Sequence, residues 1–427
     1  MELFNLFYET TGVCTDTRNI SKDCLFICLK GDNFNGNTFA EQALLAGAKY
    51  IIVDEEHYKT NDAIIYVPDS LVYLQNLATF HRSKFNIPII GITGSNGKTS
   101  TKELINCVLS EKYNVLATKG NLNNHIGVPL TLLNIKDDHE IAIIEMGANK
   151  FKDIEELCNI ALPNYGIITN IGKAHLEGFI NFEGVLKTKK ELYTSVAHNG
   201  GIIVYNSDDD ILKANLPPAI ETISFGSNSI SQIQGELIGL SPFVQLKWKK
   251  NDYISPTIQT NMIGKYNYYN FLAAISFGVL FEVPEEKINH AISTYVPDNN
   301  RSQVKKTTRN TLILDCYNAN PSSMRSAIES FAMIENENKI LIIGDMLELG
   351  NDSQKEHLQI AEYVKQLGLK AYSVGPLFAA TDKDFFIQQF EHKTEASAYL
   401  KENTLSNKLI LLKGSRGIGL ETLEESL

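Results

Sequence analysis

The chain has 427 residues, 43% of them hydrophobic, and a formal net charge of -11 at pH 7. That length holds roughly two to four domains with cores of their own, and the acidic balance excludes nonspecific binding to nucleic acid, which needs a basic surface. No apolar run approaches the ~18 residues of a membrane span. Against the net charge of -11, an anionic substrate must be met by a local basic or metal site.

The N-terminal stretch "MELFNLFYETTGVCTD" lacks the lysine or arginine of a signal peptide. Cys14, Cys24, Cys28, Cys107, Cys158 and Cys316 show no paired C-x-x-C spacing and read as buried thiols. The expectation is a cytoplasmic α/β protein of three domains. Residues 1–86 form a small α/β unit, with strands in "CLFICLKG", "KYIIVDE" and "AIIYVPD" and a helix in "FAEQALLAGA". Residues 87–297 carry "PIIGITG", "EIAIIEMG", "YGIITNIG" and "GIIVYNSDD", separated by enough chain for helices, which predicts a largely parallel sheet. Residues 222–260 alternate in short pieces and predict a few antiparallel strands before the helix "NYYNFLAAISFGVLF". Proline and asparagine cluster at "YVPDNNRSQ", the predicted boundary before a Rossmann-like domain over 298–427. There "NTLILDCYNANP", "NKILIIGDMLELG", "KAYSVG" and "NKLILLKGSRG" end their apolar runs in polar residues. Ligands of open α/β sheets bind at that edge, so Asp315, Asp345 and Lys413 are expected to face a site.

The stretch "IPIIGITGSNGKTSTKEL" runs from an apolar strand through a glycine-rich turn into a helix. Gly94 and Gly97 permit the tight turn, with Ser95 and Asn96 between them, and backbone amides of such a turn face phosphate oxygens. Lys98 supplies a point charge for β/γ-phosphates, and the Thr99 hydroxyl, followed by Ser100, can reach Mg²⁺. Leu104, Ile105, Val108 and Leu109 share one face, so the loop opens onto a helix N-terminus. The bland alternative is a glycine-rich turn beside a surface lysine, and the strand, loop and helix together disfavour it.

Glu145 closes the next apolar strand, where a metal-binding carboxylate or a solvated terminus are the competing readings. Asn170 and His175 follow another strand on the same edge. In "EGVLKTKKELYTS", Lys187 and Lys190 read as a solvated face, whereas a buried Lys189 with a depressed pKa would react with CO₂ to give an anionic carbamate. No N-K-x-D guanine signature and no H-R-D or D-F-G pair occurs, which disfavours a switch GTPase or a protein kinase.

"TGSNGKTST", "NLNNHIGVPLT", "IIEMGANK", "NIGKAHLEGF", "YNSDD", "YNYYNFLAA", "DCYNANPSSM", "GDMLELG" and "LKGSR" follow one another along the chain. That series resembles the Mur ligase family, whose loop is G-x-x-G-K-[ST], and the resemblance runs from about Thr15 to Gly417. It implies an ADP-forming amide ligase of peptidoglycan synthesis that joins D-alanyl-D-alanine to UDP-N-acetylmuramoyl-tripeptide through an acyl phosphate, with ATP and Mg²⁺. It implies metal ligands Thr99, Glu145, His175 and a carbamylated Lys189, with Lys98, His175 and Lys189 catalytic. Nucleotide contacts fall on Gly94 through Ser100, on Asn267, Asn270, Arg301 and Asp315. Tyr266 stands where the family commonly has histidine, and helix capping is the plain alternative for the two asparagines. Acceptor and dipeptide contacts fall on Asn123, Asn124, Asn318, Asn320, Lys413, Ser415 and Arg416. Thr17, Arg18 and Gly31 match the part that holds the uridine nucleotide, although Asn35-Gly36-Asn37 replaces a common D-G-H and turn formation explains the glycines equally well. A monomer closing its C-terminal domain over the substrates is implied. The rival readings are another amide ligase of the superfamily, such as a folylpolyglutamate synthase, and a nucleotide-binding regulator without catalysis.

Overall fold

Three α/β units account for the computed structural model, which describes residues 2–172, 179 and 181–427. The first unit holds a parallel sheet in the order Val13–Cys14, Leu25–Ile27, Tyr50–Val53, Ile64–Tyr66. A small hairpin of Lys30–Gly31 and Phe34–Asn35 stands beside it.

The central sheet places Ile89–Thr93 between Tyr165–Ile168 and Ile141–Glu145, parallel to both. All five residues of Ile89–Thr93 and of Ile141–Glu145 are buried, as expected of strands covered on both faces. Beyond Tyr165–Ile168 the sheet continues through Ile202–Asn206, Glu221–Gly226 and Ile233–Gly239, all parallel to their neighbours. The expected antiparallel segment is therefore shorter than the sequence implied. Glu221–Gly226 pairs in parallel because the helix Asp210–Ala214 gives the chain a crossover before it. Antiparallel pairing begins with Gln245–Lys250 and extends to Tyr253–Ile254 and Ile258–Gln259.

The third unit is a six-stranded sheet ordered Gln303–Lys306, Thr311–Leu314, Leu409–Lys413, Lys339–Gly344, Ala371–Val374, Gln388–Phe390, parallel except for its first pair. Apolar residues cover both faces, with Met324, Ile328 and Phe331 on one side and Leu400, Leu420 and Leu423 on the other. Each such side chain contributes about 1.5–3 kcal/mol on burial.

The units join in two different ways. Leu74, Leu77 and Ala78 of the helix Ser70–Arg82 lie in one core with Val128, Leu132, Ile154 and Leu157 of the central unit. Asp69 caps that helix by accepting from Val72 N at 2.9 Å, and Arg82 donates to Ala161 O at 3.2 Å across the junction. Ile263 and Phe243 of the central unit pack on the core of the third unit, whereas Asn320 meets the phosphate loop at Asn96 and Ser302 meets Asn267 through polar groups. An apolar seam resists opening more than a polar one does, because separating apolar surfaces exposes area that water does not compensate.

Candidate active site

The strand register assembles the site. Ile92 pairs with Glu145 and Thr93 with Ile168, so the loop after Thr93, the carboxylate of Glu145 and the segment 169–172 meet at one sheet edge. The loop turns through Gly94 at φ 148° and Gly97 at φ 81°. A side chain at Gly94 would run into Thr169, and one at Gly97 would press on Asn270 Oδ1 at 3.0 Å. The loop is braced from beneath. Ser95 N donates to Asn170 O at 3.0 Å, Asn96 N donates to Asn170 Oδ1 at 3.0 Å, and Asn170 Nδ2 donates back to Asn96 O at 2.9 Å. Ser95 Oγ bridges to Gly172 O at 3.1 Å. Asn170 is thus the brace of the loop, a role that its place just after a strand did not reveal.

The helix Lys98–Leu109 starts at the loop with Leu104, Ile105, Val108 and Leu109 buried as the periodicity required. Lys98 Nζ donates to Gly94 O at 2.7 Å. Burial lowers its pKa, the Arg301 charge adds to that, and Glu145 opposes it. Thr99 is buried beside it.

Glu145 is 1% exposed. Its Oε1 accepts from Asn123 Nδ2 at 2.8 Å, whereas its buried Oε2 has no hydrogen-bond partner among the described residues. A buried carboxylate oxygen left without a donor is costly unless a cation meets it. With Thr99 lining the same cleft, the donor set of hydroxyl and carboxylate oxygens suits a hard divalent cation such as Mg²⁺. His175 lies outside the described residues. Lys189, on the helix Phe182–His198, is 1% exposed, and its pKa is brought down to about 7, first by burial and then by the charge of Lys98. Its Nζ lies 5.8 Å from the Phe179 ring centroid. Lys187 is exposed, and Lys190 is half-buried with its Nζ on Asn215 Oδ1 at 3.2 Å.

Asn267 and Asn270 are not helix caps. Both are buried on the helix Tyr266–Leu280, where Asn270 Nδ2 donates to Asn267 Oδ1 at 2.9 Å and Thr101 Oγ1 to Asn270 Oδ1 at 3.1 Å. They tie that helix to the one that begins at the loop.

From the third unit, Asn320 accepts from Ser323 N at 2.9 Å, capping the helix Pro321–Ala332, and donates from Nδ2 to Asn96 Oδ1 at 2.7 Å. Lys413 Nζ sits 3.0 Å from Asp315 Oδ2 and donates to Asn318 O at 2.9 Å. Ser415 Oγ accepts from Leu347 N at 2.9 Å, so Lys413 and Ser415 hold the loop ends together, while Arg416 is exposed. Tyr317, for which the motifs imply no role, stacks under Arg301 at 3.9 Å and lies 5.3 Å from Arg416. Its place in "DCYNANP" was the available signal.

The phosphate loop, Glu145, Tyr317, Asn320, Lys413, Ser415 and Arg416 line one cleft of about 880 Å³, together with Asn123, Asn124, Asn267, Asn270, Arg301, Asp315 and Asn318, and Lys189 is not among the lining residues. Asn124 Oδ1 also accepts from Gly127 N at 2.9 Å, just where the helix Gly127–Leu132 begins. Asp345 is not among the lining residues, contrary to the expectation from its strand end. Its carboxylate turns inward to accept from Leu377 N and Phe378 N, each at 2.9 Å. The neighbouring His357 accepts from Met346 N through Nε2 at 3.0 Å and is 2.6 Å from Ser353 O through Nδ1, an arrangement for the neutral ring. Burial lowers the pKa of His357 and raises that of Asp345. Thr17, Arg18 and Gly31 lie on the first unit and do not line this cleft. Arg18 is turned back on Asp16 at 2.6 Å.

A braced phosphate loop, a buried acid with a free oxygen and arginines brought from a second α/β unit define a phosphate-loop enzyme for anionic substrates. Family models match along the chain: "Mur ligase family, catalytic domain" over residues 9–82, "Mur ligase middle domain" over 92–278 and "Mur ligase, glutamate ligase domain" over 300–416. The chain belongs to the Mur ligase family, and it is an ATP-dependent amide ligase. It is 34% identical to the UDP-N-acetylmuramoyl-tripeptide–D-alanyl-D-alanine ligase of Bacillus subtilis, over 100% of this chain and 95% of that protein. The ligase of the same description from Escherichia coli is 31% identical, over 97% of this chain and 93% of its own. Among solved structures, MurF of Acinetobacter baumannii superposes with a TM-score of 0.87 at 28% identity, over 99% and 97% of the two chains. MurF of Thermotoga maritima in complex with ADP does so with 0.88 at 25% identity, over the same shares.

Proposed function

We infer that this protein joins D-alanyl-D-alanine to UDP-N-acetylmuramoyl-tripeptide with ATP as energy source, forming the pentapeptide precursor of peptidoglycan in the cytoplasm. The full-length likeness to ligases of that description supports the substrates. The observation that carries the chemistry is the cleft in which the phosphate loop faces Arg301 and Asn320.

In this reading the tripeptide carboxylate attacks the γ-phosphate of ATP, giving an acyl phosphate and ADP. The dipeptide amine then attacks that acyl carbon, and phosphate leaves. Lys98 and the loop amides offset charge as it moves to the β/γ bridging oxygen. Arg301, held flat on Tyr317, faces the triphosphate from the third unit. Mg²⁺ would be held by Thr99 and Glu145, with His175 and carbamylated Lys189 for a second ion, and supplies charge neutralisation between phosphate and carboxylate oxygens when bound. A Lys189 amine with a pKa near 7 has the neutral form that CO₂ requires. Arg416, exposed and held by a 3.5 Å contact from Nη1 to the Tyr317 hydroxyl, would pair with the dipeptide carboxylate. Thr17, Arg18 and Gly31 are assigned to the uridine nucleotide, and the chain is taken to work as a monomer.

The test is phosphate release from Mg-ATP with UDP-muramoyl-tripeptide and D-alanyl-D-alanine, omitting one component at a time and weighing the product. Release that needs all three, with a pentapeptide product, is the expected outcome. Release with a folate or a single amino acid instead would overturn the substrate assignment, and release with no acceptor at all would overturn the ligase reading.

A further inference from the structure

The linker that enters the third unit is bent around Arg301. Asn300 on one side has φ 56° and Ser302 on the other has φ 52°, both in the left-handed region that non-glycine residues avoid. Such a backbone persists only where its surroundings hold it, and here the holding contacts converge on Ser302, which is 2% exposed. Its hydroxyl lies 2.8 Å from the Tyr266 hydroxyl and accepts from Asn267 Nδ2 at 3.1 Å, both on the central unit. Its N–H donates to Asp315 Oδ1 at 3.2 Å, on the third unit. Gly264 leaves room for the Tyr266 ring, since a Cβ there would lie 2.5 Å from it.

Arg301 itself is under-restrained by hydrogen bonds. Its buried Nε has no hydrogen-bond partner among the described residues, and its guanidinium rests on the Tyr317 ring. What fixes its direction is therefore the stacking below it and the twisted backbone beside it. We propose that Ser302, clamped by Tyr266 and Asn267 against Asp315, is a positioning residue that holds the linker so that Arg301 points into the nucleotide cleft. Tyr266 belongs to the same clamp. Its phenol reaches the Ser302 hydroxyl directly. Burial raises the pKa of Tyr266, so its hydroxyl stays protonated and available as a donor.

The proposal rests on the assignment of Arg301 to the nucleotide, and the test reads nucleotide binding so that an error in the acceptor assignment leaves it intact. Binding of a fluorescent ADP analogue with Mg²⁺ is titrated with the wild type, Tyr266→Phe, Ser302→Ala, the double variant, Arg301→Ala, and Tyr266→Phe combined with Arg301→Ala. Thermal melts accompany each. Loss of one such hydrogen bond predicts a rise in Kd of about 3- to 10-fold for Tyr266→Phe and for Ser302→Ala. The double variant is predicted to be no worse than Ser302→Ala, and Tyr266→Phe to add nothing once Arg301 is alanine. Tyr266→Phe keeps the backbone and ring packing, so it carries the test if Ser302→Ala proves unstable. An unchanged Kd in Tyr266→Phe would overturn the proposal, as would an equal further loss when that change is made on Arg301→Ala, because a general structural defect acts whether or not Arg301 is present.

Discussion

Asn320 Nδ2 donates to Asn96 Oδ1 at 2.7 Å, joining the cap of a helix in the third unit to the tip of the phosphate loop in the second. One asparagine thereby serves both a helix and a junction between units. The two duties separate by chemistry. Aspartate caps a helix as well as asparagine does but has no N–H to offer Asn96. Asn320→Asp is expected to change stability by no more than about 0.5 kcal/mol. It should lower kcat/KM for Mg-ATP about tenfold, through the lost hydrogen bond and the added negative charge near the triphosphate. Urea unfolding and steady-state kinetics on the same preparation check both halves.

Glu145→Gln keeps the acceptor for Asn123 and replaces the unpartnered buried oxygen by an amide nitrogen. The fold should change little, because the relief of an unpartnered buried oxygen is set against the lost attraction of Glu145 for Lys98. The Mg²⁺ concentration for half-maximal activity should rise about tenfold or more, and chelation should abolish activity in the wild type. A Mg²⁺ titration of phosphate release decides it.

Lys189 links pH to stability with a definite sign. Its folded pKa of about 7 lies below the unfolded value, mainly through burial. Between these two values the unfolded chain binds the extra proton, so folding is favoured more as pH rises, and below pH 7 the full cost of burying the charge is present. Wild-type stability minus that of Lys189→Met should therefore climb by on the order of 1 kcal/mol per pH unit from pH 7 to 9 in CO₂-free buffer. Urea unfolding at three pH values measures it, and parallel curves would show that Lys189 keeps an ordinary pKa.

Asp345→Asn tests the assignment of that acid to structure instead of catalysis. Asp345 receives two backbone N–H groups, and an amide has only one acceptor oxygen for them. A loss of about 1–3 kcal/mol in stability is expected, with KM for ATP unchanged at a temperature where the variant is folded. Thermal melts and kinetics side by side distinguish this from a direct role in the cleft.

The sequence by itself determined the phosphate loop, the succession of strands that end in polar residues, and the family motifs around Glu145, Arg301 and "DCYNANP". These are local in kind. A glycine at φ 81°, a buried helix face or an apolar strand is specified by neighbours within a turn or two of chain. Tertiary structure decided which strand ends reach the cleft. Asp315 and Asp345 follow similar apolar strands, yet one faces Lys413 and the other is turned inward by the N–H groups of Leu377 and Phe378. It also decided that Asn170 braces the loop, that Tyr317 lies under Arg301, and that Ser302 is gripped by two units at once. These contacts join residues well apart in the chain, 35 apart for Ser302 and Asn267 and 74 for Asn96 and Asn170, and the junction of Asn96 with Asn320 spans 224. Hydrogen bonds and ring stacking of that range leave no periodic trace in composition, because a polar residue at a strand end has the same local preferences whichever neighbour it finally meets.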